Sequence, residues 1–120
     1  MPTPTLADRA EDYCYLSTIG RVSGKPHTVE IWFAIDGPAL YILAGGRERA
    51  DFVRNAMRNS VVFVRIAQTE FGGQARIVPP GPEDERARNL LLEKYTPRSD
   101  SALEEWGREA LVFAVDLVTS

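Results

Sequence analysis

Hydrophobic and polar residues alternate most cleanly over 28–35, where Val29, Ile31, Phe33 and Ile35 interleave with Thr28, Glu30, Trp32 and Ala34. A two-residue period predicts a strand with the first set facing a core. The second set is mixed, and its Trp32 needs a neighbour better than bulk water. Runs rich in aromatic and β-branched residues predict further strands over 13–19, 40–44, 61–66, 74–78 and 110–118. In the last of these Leu111, Phe113, Val115 and Leu117 share one face. Asp36-Gly37-Pro38 predicts a turn, and Phe71-Gly72-Gly73 a turn or bulge.

Helical spacing appears over 47–58, with Ala50, Val53 and Met57 on one stripe and Phe52 and Ala56 beside it. A second helix is predicted from Pro82, with proline in its first turn and Glu83, Asp84 and Glu85 at the positive end of its dipole. Its apolar stripe is Ala87, Leu90 and Leu91, ending at Lys94 and Tyr95. Short helices are expected over 6–12 and 101–108, and Tyr95 and Trp106 read as packing aromatics.

Strands joined as hairpins, with few helices between them, favour an antiparallel barrel over a parallel sheet. The expected fold class is mainly β with α (α+β): a six-stranded antiparallel barrel with a helix after strand three and C-terminal helices. At 120 residues the chain is expected to form one domain, 1–120, with a core of its own. No repeat, low-complexity tract or linker interrupts it.

No apolar run approaches the roughly 20 residues of a membrane span, and the first residues lack a signal-peptide layout, so a cytoplasmic location is expected. The single Cys14 cannot form an internal disulfide, which suits a reducing compartment, and it reads as a buried structural thiol. A net charge of -3 argues against nucleic-acid binding. The cations are nonetheless crowded: Arg21, Lys25, Arg47, Arg49, Arg54 and Arg58 lie in the first half, while acids dominate 83–109. An acidic chain with a local basic cluster reads as a binder of a small anion.

The densest candidate chemistry is the turn 18–28. Gly20 and Gly24 permit close backbone approach, Ser23 and Thr28 offer hydroxyls, Arg21 and Lys25 supply charge, and His27 adds a titratable ring. A solvated hairpin needs only the glycines and Pro26; the extra donors suit an anion such as phosphate. Both readings stand on composition alone. His27 is the only histidine and has no metal-ligand spacing around it, and no nucleophile-elbow motif is present, so neither a metal site nor a set of catalytic residues is assigned.

Trp32 either stacks beside a ligand ring or fills a subunit interface, and Glu30 is either paired with an arginine or solvated. Leu43-Ala44-Gly45-Gly46-Arg47 joins a strand to a helix, where exposed N–H groups can meet an anion or a ring edge, or form a plain turn. Arg47, Arg54 and Arg58 recur at helical spacing as one ridge, either solvated or holding an acidic ligand tail.

The turn 18–28 followed by Val29-Glu30-Ile31-Trp32-Phe33-Ala34-Ile35-Asp36-Gly37 resembles the deazaflavin (F-420)-dependent nitroreductase and quinone reductase family, within the FMN-binding, pyridoxamine 5'-phosphate oxidase-like split barrels. The resemblance runs over about 15–66. It implies a homodimer with coenzyme F-420 or FMN in the cleft between subunits, and hydride transfer to a small unsaturated acceptor such as a quinone or nitro compound. It further implies that Arg21, Ser23, Gly24, Lys25, His27 and Thr28 hold the cofactor phosphate, while Ala44, Gly45, Gly46 and Arg47 lie along the ring. Trp32 and Arg54 complete the implied site. His27 stands where the family commonly has arginine, and the serine and lysine many relatives carry before the glycines are absent. A non-catalytic carrier of the same fold, or an interaction module without ligand, would share these features.

Overall fold

Cys14, Leu16 and Thr18 alternate with Tyr15, Ser17 and Ile19, and this sorting into a buried and a half-buried face forms β1 (Cys14–Ile19). The computed structural model describes residues 4–98 and 107–118, so Trp106 and all but the end of the helix expected over 101–108 lie outside the described residues. Before β1, α1 (Leu6–Ala10) is started by Thr5 and Asp8, each side chain bonding the other's backbone N–H.

After β1 a hairpin returns the chain as β2 (Pro26–Ile31), with Cys14 opposite Ile31 and Ile19 opposite Pro26. At Trp32 and Phe33 the ladder breaks. The chain resumes as β3 (Ala34–Asp36), which pairs not with β1 but with β4 (Ala39–Ala44). The run predicted as one strand over 28–35 is thus two strands with different partners. The sheet has seven strands in place of the expected six, in the order β2-β1-β5-β6-β7-β4-β3, where β5 is Val61–Ile66, β6 is Thr69–Ile77 and β7 is Leu111–Leu117. All neighbours are antiparallel. Because β2 and β3 are consecutive in the chain yet stand at opposite ends of this order, the sheet rolls around a core. The α+β split-barrel class holds.

Side-chain alternation survives the break. Val29, Ile31, Phe33 and Ile35 pack with the barrel interior, while Ala34 and Trp32 join a second core on the outside. That second core lies between the outer faces of β4 and β7 and the helix α3 (Pro82–Tyr95), with Tyr41, Leu43, Val112 and Ala114 meeting Ala87, Leu91 and Tyr95. Burial on both faces explains why 40–44 reads as an unbroken apolar run. Arg76 on β6 ties α3 to the sheet. Its guanidinium bonds both oxygens of Glu83 (2.9 and 2.7 Å) and both of Asp116 (2.7 and 3.1 Å). Tyr41 donates a further hydrogen bond to Glu83 at 2.6 Å.

Two local expectations are corrected. Phe71-Gly72-Gly73 is the interior of β6, not a turn or bulge. A Cβ on Gly73 would lie 2.5 Å from Val115 Cγ1 and 2.8 Å from the Asp116 carbonyl, so glycine is there to let β7 approach. The turn itself falls at Ala67 and Gln68, with Ala67 at φ 53°, and β6 begins at Thr69 rather than 74.

The helix expected over 47–58 is also divided. Arg47–Arg49 is a single 3-10 turn, Ala50 is extended, and α2 (Asp51–Arg58) starts afresh. Its buried arc runs through Phe52, Val53, Ala56 and Asn55, which turns Met57 out to 65% exposure. Val53 and Ala56 enter the barrel core. No helix among the described residues is long and apolar enough to cross a membrane.

Candidate functional site

The β1–β2 hairpin is closed by two backbone bonds, Gly20 N–H to the Lys25 carbonyl (2.8 Å) and Gly24 N–H to the Gly20 carbonyl (2.9 Å). Gly24 takes φ 72°, which only glycine adopts without strain. Gly20 serves differently: a Cβ there would lie 2.6 Å from His27 Nε2 and 2.7 Å from Ser23 Oγ. The missing side chain lets both groups fold over the turn, where they stand 3.3 Å apart. Ser23 Oγ also accepts the Lys25 N–H at 3.2 Å.

Opposite the hairpin stands α2. Asn55, only 4% exposed, accepts from the Arg21 backbone N–H (3.1 Å) and Arg21 Nη1 (2.8 Å), and its own Nδ2 donates to the buried Thr18 hydroxyl (3.3 Å). Arg21 Nη2 reaches Asp51 Oδ1 at 3.2 Å. Hairpin and helix enclose a cleft of about 440 Å³, lined by Gly20, Arg21, Ser23, His27 and Thr28 on one side and Asp51, Phe52 and Asn55 on the other. That volume falls within the range of small-molecule sites, roughly 300–1,000 Å³. Arg21 is the one arginine or lysine in the lining, and Asp51 the one carboxylate.

The other predicted residues are placed apart from this cleft. Gly24 and Lys25 are exposed in the hairpin but do not line it. Ala44 ends β4 inside the barrel at 1% exposure, while Gly45, Gly46 and Arg47 form an exposed turn. There Arg47, at φ 53°, takes the left-handed conformation, and it bonds the Glu109 carbonyl. The single ridge expected of Arg47, Arg54 and Arg58 does not form, because Arg47 precedes the break at Ala50; Arg54 and Arg58 are exposed on α2. Trp32 stacks on Tyr95 with ring centroids 4.2 Å apart and 2° between planes. Glu30 is exposed, as one of the two expectations had it, and accepts the Tyr15 hydroxyl at 2.6 Å.

Cys14 is fully buried, and burial pushes its thiol up to about 12, which leaves it a packing residue and no nucleophile. Among the described residues no cluster of His, Cys, Asp and Glu could hold a metal ion.

A family model described as pyridoxamine 5'-phosphate oxidase matches residues 7–119. The chain belongs to that family. Among solved structures, an F420-H2 dependent reductase (FDR-A) is 22% identical, with a TM-score of 0.72 over 88% of this chain and 94% of that one. HutZ, the heme storage protein from Vibrio cholerae, is 15% identical with a TM-score of 0.74, covering 95% of this chain and 87% of its own. A FAD-binding protein from Mesorhizobium loti is 14% identical with a TM-score of 0.67, covering 92% and 82%. At these identities the likeness is one of fold. A comparison with curated proteins returns no match.

Within this pyridoxamine 5'-phosphate oxidase-like barrel, the α2 side of the cleft, Asp51, Phe52 and Asn55, is what sequence reasoning missed. By sequence, Asp51 and Asn55 merely flank the arginines of that helix. The one available signal is their spacing of four, which sets them on a single helix face toward the hairpin.

Proposed function

We propose that this chain binds a flavin or deazaflavin nucleotide, FMN or coenzyme F-420, with its phosphate in the cleft between hairpin and α2, and acts as an oxidoreductase on a small unsaturated acceptor such as a quinone or nitro compound. The observation that carries the reading is the convergence of Arg21, Ser23, His27 and Thr28 on one cleft of about 440 Å³. The donor set suits a phosphate: two hydroxyls, an imidazole and a guanidinium converge on one cleft. When bound, the cofactor supplies the hydride chemistry. The chain's own residues bind and orient it: Arg21, held to α2 through Asn55, fixes charge at the phosphate end, and Phe52 gives the cleft an apolar wall. The F420-H2 dependent reductase and the FAD-binding protein support this choice of ligand class.

The reading includes a homodimer. The outer face of β2, β1, β5 and β6 carries exposed Val61 and Phe63, and Gly72 opposite Phe63 leaves open space above the sheet. On the same face Arg65 stacks 4.3 Å over Tyr15, and the Tyr15 hydroxyl bonds Glu30. Thr28, whose hydroxyl meets Ser17 at 2.7 Å on this face, also lines the cleft, so a second copy seated here would border the ligand. The fold also serves a heme storage protein, and a carrier that holds its ligand without turnover is the second reading. Fluorescence titration with FMN and with F-420 decides the matter: binding followed by oxidation of the reduced cofactor by quinones or nitroaromatics supports the enzyme, binding without oxidation the carrier, and no binding of either ligand removes both.

A further inference from the structure

Arg21 is the one lysine or arginine in the cleft, and in this structure its charge is already answered. Asn55 Oδ1 takes Nη1 at 2.8 Å, and Asp51 Oδ1 takes Nη2 at 3.2 Å. The two acceptors differ in kind. Asn55 is neutral, nearly buried and fixed by Thr18, so it positions the guanidinium. Asp51 is charged, its side chain is 83% exposed, and it opens the first turn of α2 at the wall of the cleft. An exposed ion pair of this kind holds loosely. A carboxylate in that place competes with any anionic ligand for Arg21 and repels its charge.

We propose that Asp51 is the specificity-determining residue of the cleft, setting its preference by ligand charge: it occupies Arg21 in place of a phosphate oxygen and so lowers affinity for phosphate dianions relative to uncharged ligands of the same shape. This rests on the phosphate placement proposed above. The other polar side chains lining the cleft are Thr18, Ser23, His27, Thr28 and Asn55, and none of them carries a fixed negative charge. Removing the Asp51 charge therefore leaves Arg21 in place, still bonded by Asn55, with its outer N–H groups directed at the cleft.

The test uses Asp51→Asn, which keeps size and one acceptor oxygen for Arg21 while removing the charge. FMN and riboflavin share a ring system and differ by the phosphate, so their affinities are measured side by side by fluorescence quenching for wild type and variant, with circular dichroism as the check on folding. A unit charge acting on a phosphate across about 5 Å in a solvent-rich site corresponds to roughly tenfold in affinity. Asp51→Asn should bind FMN roughly tenfold tighter and riboflavin unchanged, and the gain should shrink as salt rises. Equal gains for both ligands, or FMN binding unchanged or weakened in Asp51→Asn while wild type binds it, overturns the proposal and leaves the phosphate site standing. Failure of FMN and F-420 to bind both proteins overturns the site and the proposal together.

Discussion

The Tyr95 hydroxyl stands 3.0 Å from the backbone nitrogen of Phe33 and takes its N–H where the strand ladder is broken. The same oxygen lies 2.9 Å from the Phe33 carbonyl and 2.8 Å from that of Asp12, so one phenol on α3 joins the β2–β3 junction to the segment before β1. Lys94 adds a bond from Nζ to the Phe33 carbonyl at 2.9 Å. A buried N–H without a partner costs about 1–3 kcal/mol. Tyr95→Phe keeps the stack on Trp32 and removes the acceptor. It should therefore lower unfolding stability by about 1–3 kcal/mol in urea titrations while the near-UV signal of the folded state is retained.

The Arg76 cluster gives the molecule an acid-sensitive joint. Hydrogen bonds from Arg76, then from Tyr41, hold Glu83 at about 2, well below the usual 4.5. A carboxylate lowered on folding stabilises the native state above its unfolded value, and that contribution is lost as pH falls from about 4.5 to about 2. Arg76→Ala should cost about 1–2 kcal/mol at neutral pH, from half-exposed charged hydrogen bonds. It should also flatten the decline in stability over this acid range, as read by urea midpoints at stepped pH.

Ala67 occupies the left-handed region at φ 53° in the β5–β6 turn. A side chain there is strained, and glycine relieves it at some cost in unfolded-state entropy. Ala67→Gly should raise stability by about 0.5–1 kcal/mol, measured as a higher denaturation midpoint with unchanged slope.

Much of the barrel was legible because burial imposes a period of two on the sequence. Val29, Ile31, Phe33 and Ile35 face the core as that period requires. Where the run splits at Trp32 and Phe33, the freed N–H is taken by a phenol 62 residues away, and no local pattern carries such information. Gly72-Gly73 misled for a related reason, since glycine marks close approach as well as turns, while the actual turn uses Ala67 and Gln68, which carry no turn chemistry. At the candidate site the hairpin showed itself through local composition. Its counterpart on α2 did not, because Asn55 reads as a surface residue until its partner, Arg21, 34 positions earlier, is brought beside it.

The phosphate placement is tested most directly by the difference between a phosphorylated cofactor and its phosphate-free counterpart. Affinities for FMN against riboflavin, and for F-420 against its phosphate-free chromophore, are measured for wild type and for Arg21→Ala by fluorescence titration. Charge-assisted hydrogen bonds to a phosphate predict a preference of about tenfold or more for the phosphorylated ligand in wild type. In Arg21→Ala that preference should fall toward unity, with the circular dichroism spectrum unchanged. Equal affinity for both members of each pair in wild type, or a preference that survives the loss of Arg21, would contradict the account.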